Sequence, residues 1–122
     1  MQKKTGITRL LYAAKHSSNG FISALNSEAA FRQEFIAVSV LAILSFWLPV
    51  TALEQVLLLS TLVMVLIVEL INSAIECLAD QISSEWHLLI KKAKDYGSLA
   101  VLLTLLISAS IWLTILLPKF NF

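Results

Sequence analysis

Glycine, proline and cysteine are all scarce in this sequence, with three, two and one among 122 residues, and the scarcity removes whole classes of site. With only Gly6, Gly20 and Gly97, neither a Walker A loop nor a kinase glycine-rich loop can be written, since both use clustered glycines to bring backbone N–H groups onto phosphates. Any nucleotide site must therefore be built from side chains on helices. The single Cys77 excludes an internal disulfide and a thiolate zinc site. Charge of one sign is missing as well. Nine Lys/Arg against eight Asp/Glu leave a formal net charge of +1, with no positive excess to neutralise a phosphate backbone, so no nucleic-acid partner is expected. Charged residues make up 14% of the chain and hydrophobic ones 58%, where soluble domains carry roughly 25% and 45–50%. So short a chain has little interior in which to hide that surplus. One domain, residues 1–122, folded in lipid, is the expectation.

Three runs lack charge: Phe35 to Leu53 (19 residues), Gln55 to Val68 (14 residues) and Tyr96 to Pro118 (23 residues). About 20 apolar residues are needed to cross the ~30 Å hydrocarbon core, so the first and third qualify directly. The second becomes a span only by continuing through Glu69, Asn72, Ser73, Glu76 and Asp80, which carries carboxylates into or toward the bilayer. Between the first two spans, Pro49 favours a helix stop, and Thr51 with Glu54 fits a capping box for the next helix. The expected spans are about 29–49, 52–80 and 95–117.

Ahead of them, Ile7, Leu10, Leu11, Ala14, Phe21, Ile22 and Leu25 follow helical spacing, which predicts an amphipathic surface helix over residues 1–27. Gly20 is a candidate interruption, and Asn26 or Ser27 a candidate cap for a new helix from Glu28. Five Lys/Arg and two Glu in the first 34 residues, with no long apolar stretch, argue against a removable signal peptide. Eight of the nine Lys/Arg lie before the first span or in the 80–95 connection. By the positive-inside rule these segments are cytoplasmic and the C-terminus faces out. Trp47 and Trp112 then fall near the outer boundary and Trp86 near the inner one. Trp86, Leu89, Ile90 and Ala93 predict a second, smaller interfacial segment.

At about 100° per residue, Glu69, Asn72, Ser73, Glu76 and Asp80 share an arc of roughly 100° on the second span. A stripe of this kind is costly against lipid and must face other helices or a wet cleft. Asn72 and Ser73 alone are equally suited to gluing helices together. The carboxylates suit more: one partly desolvated is a general base for a hydroxyl, and a pair nearer water is suited to Mg²⁺. Proton or cation transport uses the same residue types. Glu28 and Arg32 fit an i,i+4 pair on a solvated helix end. Lys91, Lys92 and Lys94 suffice as topological markers, although Lys94 is equally able to hold a phosphate as a point charge.

Three motifs then stand in order: Asn26-x-Glu28-Ala-Ala-Phe31-Arg32-Gln33-Glu34, Glu69-x-x-Asn72-Ser73-x-x-Glu76, and Ala93-Lys94-Asp95-x-Gly97-Ser98. Together with the surface helix and the loop lengths, they resemble the small integral-membrane diacylglycerol kinases of bacteria over nearly the whole chain. The resemblance implies an all-α membrane protein with three transmembrane helices, a homotrimer in the bacterial inner membrane, N-terminus cytoplasmic and C-terminus periplasmic. It implies transfer of the γ-phosphoryl of MgATP to diacylglycerol, with Mg²⁺ accompanying ATP. In that family the position of Glu69 is the proposed base, with Asn72 beside it in the catalytic set, and Glu28 and Glu76 match metal-holding, ATP-binding positions. Arg9, Glu85, His87, Lys94 and Asp95 match nucleotide contacts. The lipid substrate is placed against Arg9, Ala30, Phe31, Arg32, Gln33, Glu34, Trp47, Glu69, Ser98 and Trp112. His16, Gln81 and Trp86 depart from the family's pattern, where an aromatic, a basic residue and a tyrosine are usual.

Two other readings share the stripe. An undecaprenol kinase of the same superfamily would carry the same carboxylates. A non-enzymatic oligomeric ion or proton transporter would use Glu69, Glu76 and Asp80, and leave Glu28 and Lys94-Asp95 as topology markers.

Overall fold

The computed structural model describes residues 5–82 and 85–120, and its elements are all helical, with no strand among the described residues. The first four residues of the expected surface helix, and 83–84 and 121–122 of the expected domain, lie outside the described residues. Four α-helices follow one another: α1 (Gly6–Ser27), α2 (Ala29–Ser45), α3 (Ala52–Ile82) and α4 (Leu88–Leu116), the last running into a 3₁₀ turn at Leu117–Phe120.

α1 is continuous through Gly20, contrary to the expected interruption. Its apolar side chains find no cover in their own chain: Ile7, Leu10 and Leu11 are 76%, 69% and 65% exposed. Such an uncovered apolar face suits a helix lying at a membrane interface. The break falls at Glu28, whose extended backbone (φ −109°, ψ 102°) ends α1 and starts α2. Neither Asn26 nor Ser27 caps α2, since Glu28 occupies the N-cap position without a side-chain cap bond. The expected Glu28–Arg32 pair is not formed either. The Arg32 guanidinium instead donates to the carbonyl oxygens of Leu25 (2.8 Å) and Asn26 (3.4 Å), satisfying acceptors that the end of α1 leaves open. Phe21, Phe31 and Phe35 hold the corner, with ring centroids 5.2–6.3 Å apart.

α2 stops at Ser45, short of 49, because the chain tightens into i→i+3 bonds from Phe46 to Ile43, Trp47 to Leu44 and Leu48 to Ser45 ahead of Pro49. The capping box is present: Thr51 N–H donates to Glu54 Oε1 (2.9 Å) and Glu54 N–H to Thr51 Oγ1 (3.1 Å). Glu54 also pairs with Lys119 at 2.9 Å, and Gln55 Nε2 donates to Ser45 Oγ at 2.7 Å. These bonds tie the end of the chain and both flanks of the turn together.

α3 runs 31 residues, about 46 Å at 1.5 Å per residue, well beyond a ~30 Å core. Measured from Ala52, ~30 Å is used up near Asn72, so Glu76 and Asp80 project past it. α4 starts at Leu88, seven residues before the expected start at 95, and takes in Trp86's neighbours Leu89, Ile90 and Ala93 as its first turns; no separate interfacial segment forms there. Two helical stretches are long and apolar enough to cross a membrane, Ala52–Ile82 and Leu88–Phe120. Leu102, Leu106, Ile107 and Leu113 of α4 stay exposed, the outward face of an integral membrane protein.

Candidate active site

The polar stripe of α3 is turned inward, as its cost against lipid requires. Glu69 is 5% exposed, Asn72 and Ser73 are buried, Glu76 is half-buried and Asp80 reaches solvent. Three further carboxylates, Glu34, Glu76 and Glu28, lie close enough to act on the charge of Glu69. Four acids from two helices thus converge where α3 leaves the apolar layer.

Gly97 makes this convergence possible. A Cβ built at Gly97 would strike the side-chain oxygen of Asn72, so the α3–α4 crossing has room for that amide only because residue 97 has no side chain. Asn72 Nδ2 then donates to Glu76 Oε1 at 3.3 Å, which fixes one carboxylate oxygen. Asn72 Oδ1 and Glu34 Oε2 are buried without a hydrogen-bond partner among the described residues. Unpaired acceptors of this kind are costly, and mark positions where an incoming donor is favoured.

Glu28 and Glu76 come from different helices but the same neighbourhood. Glu28 Oε1 lies 3.8 Å from the thiol of Cys77, the residue after Glu76. Among the described residues no three His, Cys, Asp or Glu side chains form a cage for a metal. Mg²⁺ asks for no such cage, because it is ordinarily held by one or two carboxylates together with substrate phosphates and water. Glu28 and Glu76 fit that pattern.

Two clefts flank the stripe. Beyond its Asp80 end, Asp80, Glu85, Trp86, His87, Lys94 and Asp95 line a charged cleft of about 330 Å³. Its cations are already paired, Lys94 with Asp80 at 2.7 Å and Lys91 with Asp95 at 2.6 Å. Both pairs are well exposed and so worth little, at most about 1 kcal/mol, and a polyphosphate can exchange with the carboxylates. On the other side, an apolar cleft of about 330 Å³ runs between α2, α3 and α4, with Glu34 at one end, Trp112 at the other and Val65 in its wall. Val65 lies one turn from Glu69 on the same face of α3.

Not every residue singled out in the sequence joins this centre. Arg9 lies 19 positions before Glu28 on α1, about 28 Å along the helix axis. Trp47 sits exposed at the α2–α3 turn, at the far end of the bundle. Ala30, Gln33 and Ser98 are exposed, Phe31 is 1% exposed within the phenylalanine corner, and Arg32 caps α1. Trp112, expected at the outer interface, turns inward, its indole N–H donating to Thr61 Oγ1 at 3.0 Å. No role was assigned from the sequence to Thr61, to the pairing of Asp80, or to Gly97 beyond its place in the third motif. For Gly97 a signal existed: glycine inside a helix costs about 1 kcal/mol relative to alanine, which points to a close approach.

Residues 15–116 match the family described as prokaryotic diacylglycerol kinase. The chain is 45% identical over 117 residues to the diacylglycerol kinase of Escherichia coli K12, with 96% of each chain covered. It is 44% identical over 114 residues to that of Pseudomonas aeruginosa, covering 93% of each. With that of Haemophilus influenzae it shares 40% over 112 residues, 92% of this chain and 95% of the relative.

Proposed function

Because the chain belongs to the prokaryotic diacylglycerol kinase family and is a phosphotransferase, we propose that it moves the γ-phosphoryl of MgATP onto the free hydroxyl of diacylglycerol, with Glu69 as general base. The observation that carries this reading is one buried acidic stripe linking an apolar cleft beside Val65 to a charged cleft at Asp80. A lipid alcohol enters from the apolar side and a nucleotide from the aqueous side, and their reacting atoms meet along the stripe.

Phosphoryl transfer needs positioning and charge neutralisation more than covalent help from the protein. Glu69 accepts the proton of the lipid hydroxyl. The freed oxygen attacks the γ-phosphorus, and the bond to the β,γ-bridging oxygen breaks, leaving ADP and phosphatidic acid. Asn72 steadies Glu76 through its amide. Glu28 and Glu76 would hold the magnesium that arrives with ATP, which would offset the negative charge of the phosphates. Lys94 leaves Asp80 for the phosphates, and Glu85, His87 and Asp95 line the nucleotide's cleft.

The chain is read as crossing the bacterial inner membrane three times, α2 being the first crossing, with the N-terminus and the lysines of α4 cytoplasmic and Lys119 periplasmic. It is read as a homotrimer. The ~28 Å between Arg9 and Glu28 within one chain favours Arg9 serving a neighbouring subunit's lipid and nucleotide.

Replacing Glu28 or Glu76 by glutamine is expected to raise the Mg²⁺ concentration at half-maximal rate by about 10–100-fold, the loss of one charged contact worth roughly 1.5–3 kcal/mol. Magnesium titrations of the phosphorylation rate at saturating lipid measure it. An unaltered magnesium requirement in both variants would remove these two residues from the metal.

A further inference from the structure

At the far end of the apolar cleft stands a side chain that is held from behind. Trp112 lines the cleft opposite Glu34. Its indole N–H donates to Thr61 Oγ1 at 3.0 Å, and the Thr61 hydroxyl donates in turn to the Leu58 carbonyl at 2.8 Å. Proton direction is fixed throughout, because indole nitrogen only donates and the carbonyl only accepts. Thr61 does not line this cleft; it lines the neighbouring one between α3 and α4. It therefore reaches the cleft only through the indole. Thr61 is buried, so releasing the N–H would leave a polar group unpaired in an apolar layer, and the bonded orientation is strongly preferred.

The cleft has a defined depth. On α4 its wall runs from Leu105 to Trp112, seven positions or about 10 Å. A hydrocarbon chain entering beside Glu34 and extended along it would place roughly eight methylenes before meeting the indole. We infer that Thr61 is a positioning residue that locks Trp112 across the cleft and so sets how much of an acyl chain the enzyme measures. This rests on the lipid-kinase reading above, in which the reacting hydroxyl lies at Glu69 and its chain runs away along the apolar wall. Each methylene inside the cleft adds burial; those beyond the indole turn out into bilayer and add nothing specific.

The test is a chain-length series of saturated diacylglycerols, from dihexanoyl to didodecanoyl, offered at equal mole fraction in mixed micelles with the full-length protein. For the unaltered chain kcat/KM is expected to climb by about twofold per methylene, the gain of a few dispersion contacts over those made in the micelle, and to level off at roughly eight carbons. In Thr61→Val, which keeps the shape and loses the hydroxyl, the plateau moves to longer chains. Its ratio of didodecanoyl to dioctanoyl kcat/KM rises by about twofold or more, one further methylene's worth. Thr61→Ser restores the original plateau. Trp112→Phe, which keeps a ring without the N–H, follows Thr61→Val and decides the matter should the valine variant not fold. A plateau that both variants leave in place overturns the inference alone. Absence of phosphatidic acid from every diacylglycerol with the unaltered chain overturns the lipid-kinase reading, and this inference with it.

Discussion

Glutamine at position 69 is expected to slow phosphoryl transfer by about 10²–10⁴-fold, the usual worth of a positioned general base, while leaving the helices and the MgATP requirement in place. The substitution is close to isosteric, so the packing of a side chain only 5% exposed is preserved. What disappears is the buried carboxylate one turn from Val65, which stands in the wall of the apolar cleft. Burying a neutral amide costs less than burying a carboxylate, so the replacement is also expected to unfold at an equal or higher temperature. Lost activity with undiminished stability is the pattern of a group kept for function. Turnover in mixed micelles and thermal unfolding in the same detergent measure the two halves. Full turnover would remove Glu69 as the base.

Alanine at position 97 is expected to damage the site from a distance. Its Cβ collides with the Asn72 amide, and overpacking of this kind costs about 1–3 kcal/mol. The amide has nowhere to move without releasing Glu76. A shift of about 1 Å in such a constellation can cost on the order of 10²-fold in rate. Adding Asn72→Ala makes room for the new methyl group, so the double variant should recover thermal stability without recovering rate. Were Gly97→Ala as stable and as active as the unaltered chain, the close crossing of α3 and α4 would not be what orders the stripe.

The acidic stripe was legible in the sequence because helical periodicity fixes which residues share a face, and a charged face inside a span has only one tolerable direction. The capping box at Thr51 and Glu54 was legible because it is local, made within four residues. What escaped depends on partners far along the chain. Arg32 forsakes Glu28 for carbonyls at the end of α1, since the phenylalanine corner folds that end back over it. The lysines before the third apolar run look like a loop by charge, yet they form the first turns of α4, where Lys94 reaches Asp80 fourteen residues away. Thr61 and Trp112 are two among several polar marks in apolar runs, 51 positions apart, and only the packing of α3 against α4 makes them a pair. The stop of α2 at Ser45 was likewise hidden, because residues 46–48 are as apolar as those before them and only the tightened backbone shows the end.

The most direct measurement is transfer of label from γ-³²P ATP by the purified protein, offered diacylglycerol and undecaprenol separately in mixed micelles with Mg²⁺. Labelled phosphatidic acid is expected from diacylglycerol, formed about 10²–10⁴-fold more slowly when Glu69 is replaced by glutamine. Label appearing only in the polyprenol, or a Glu69-dependent ion flux in sealed liposomes with no labelled lipid at all, would contradict the lipid-kinase reading.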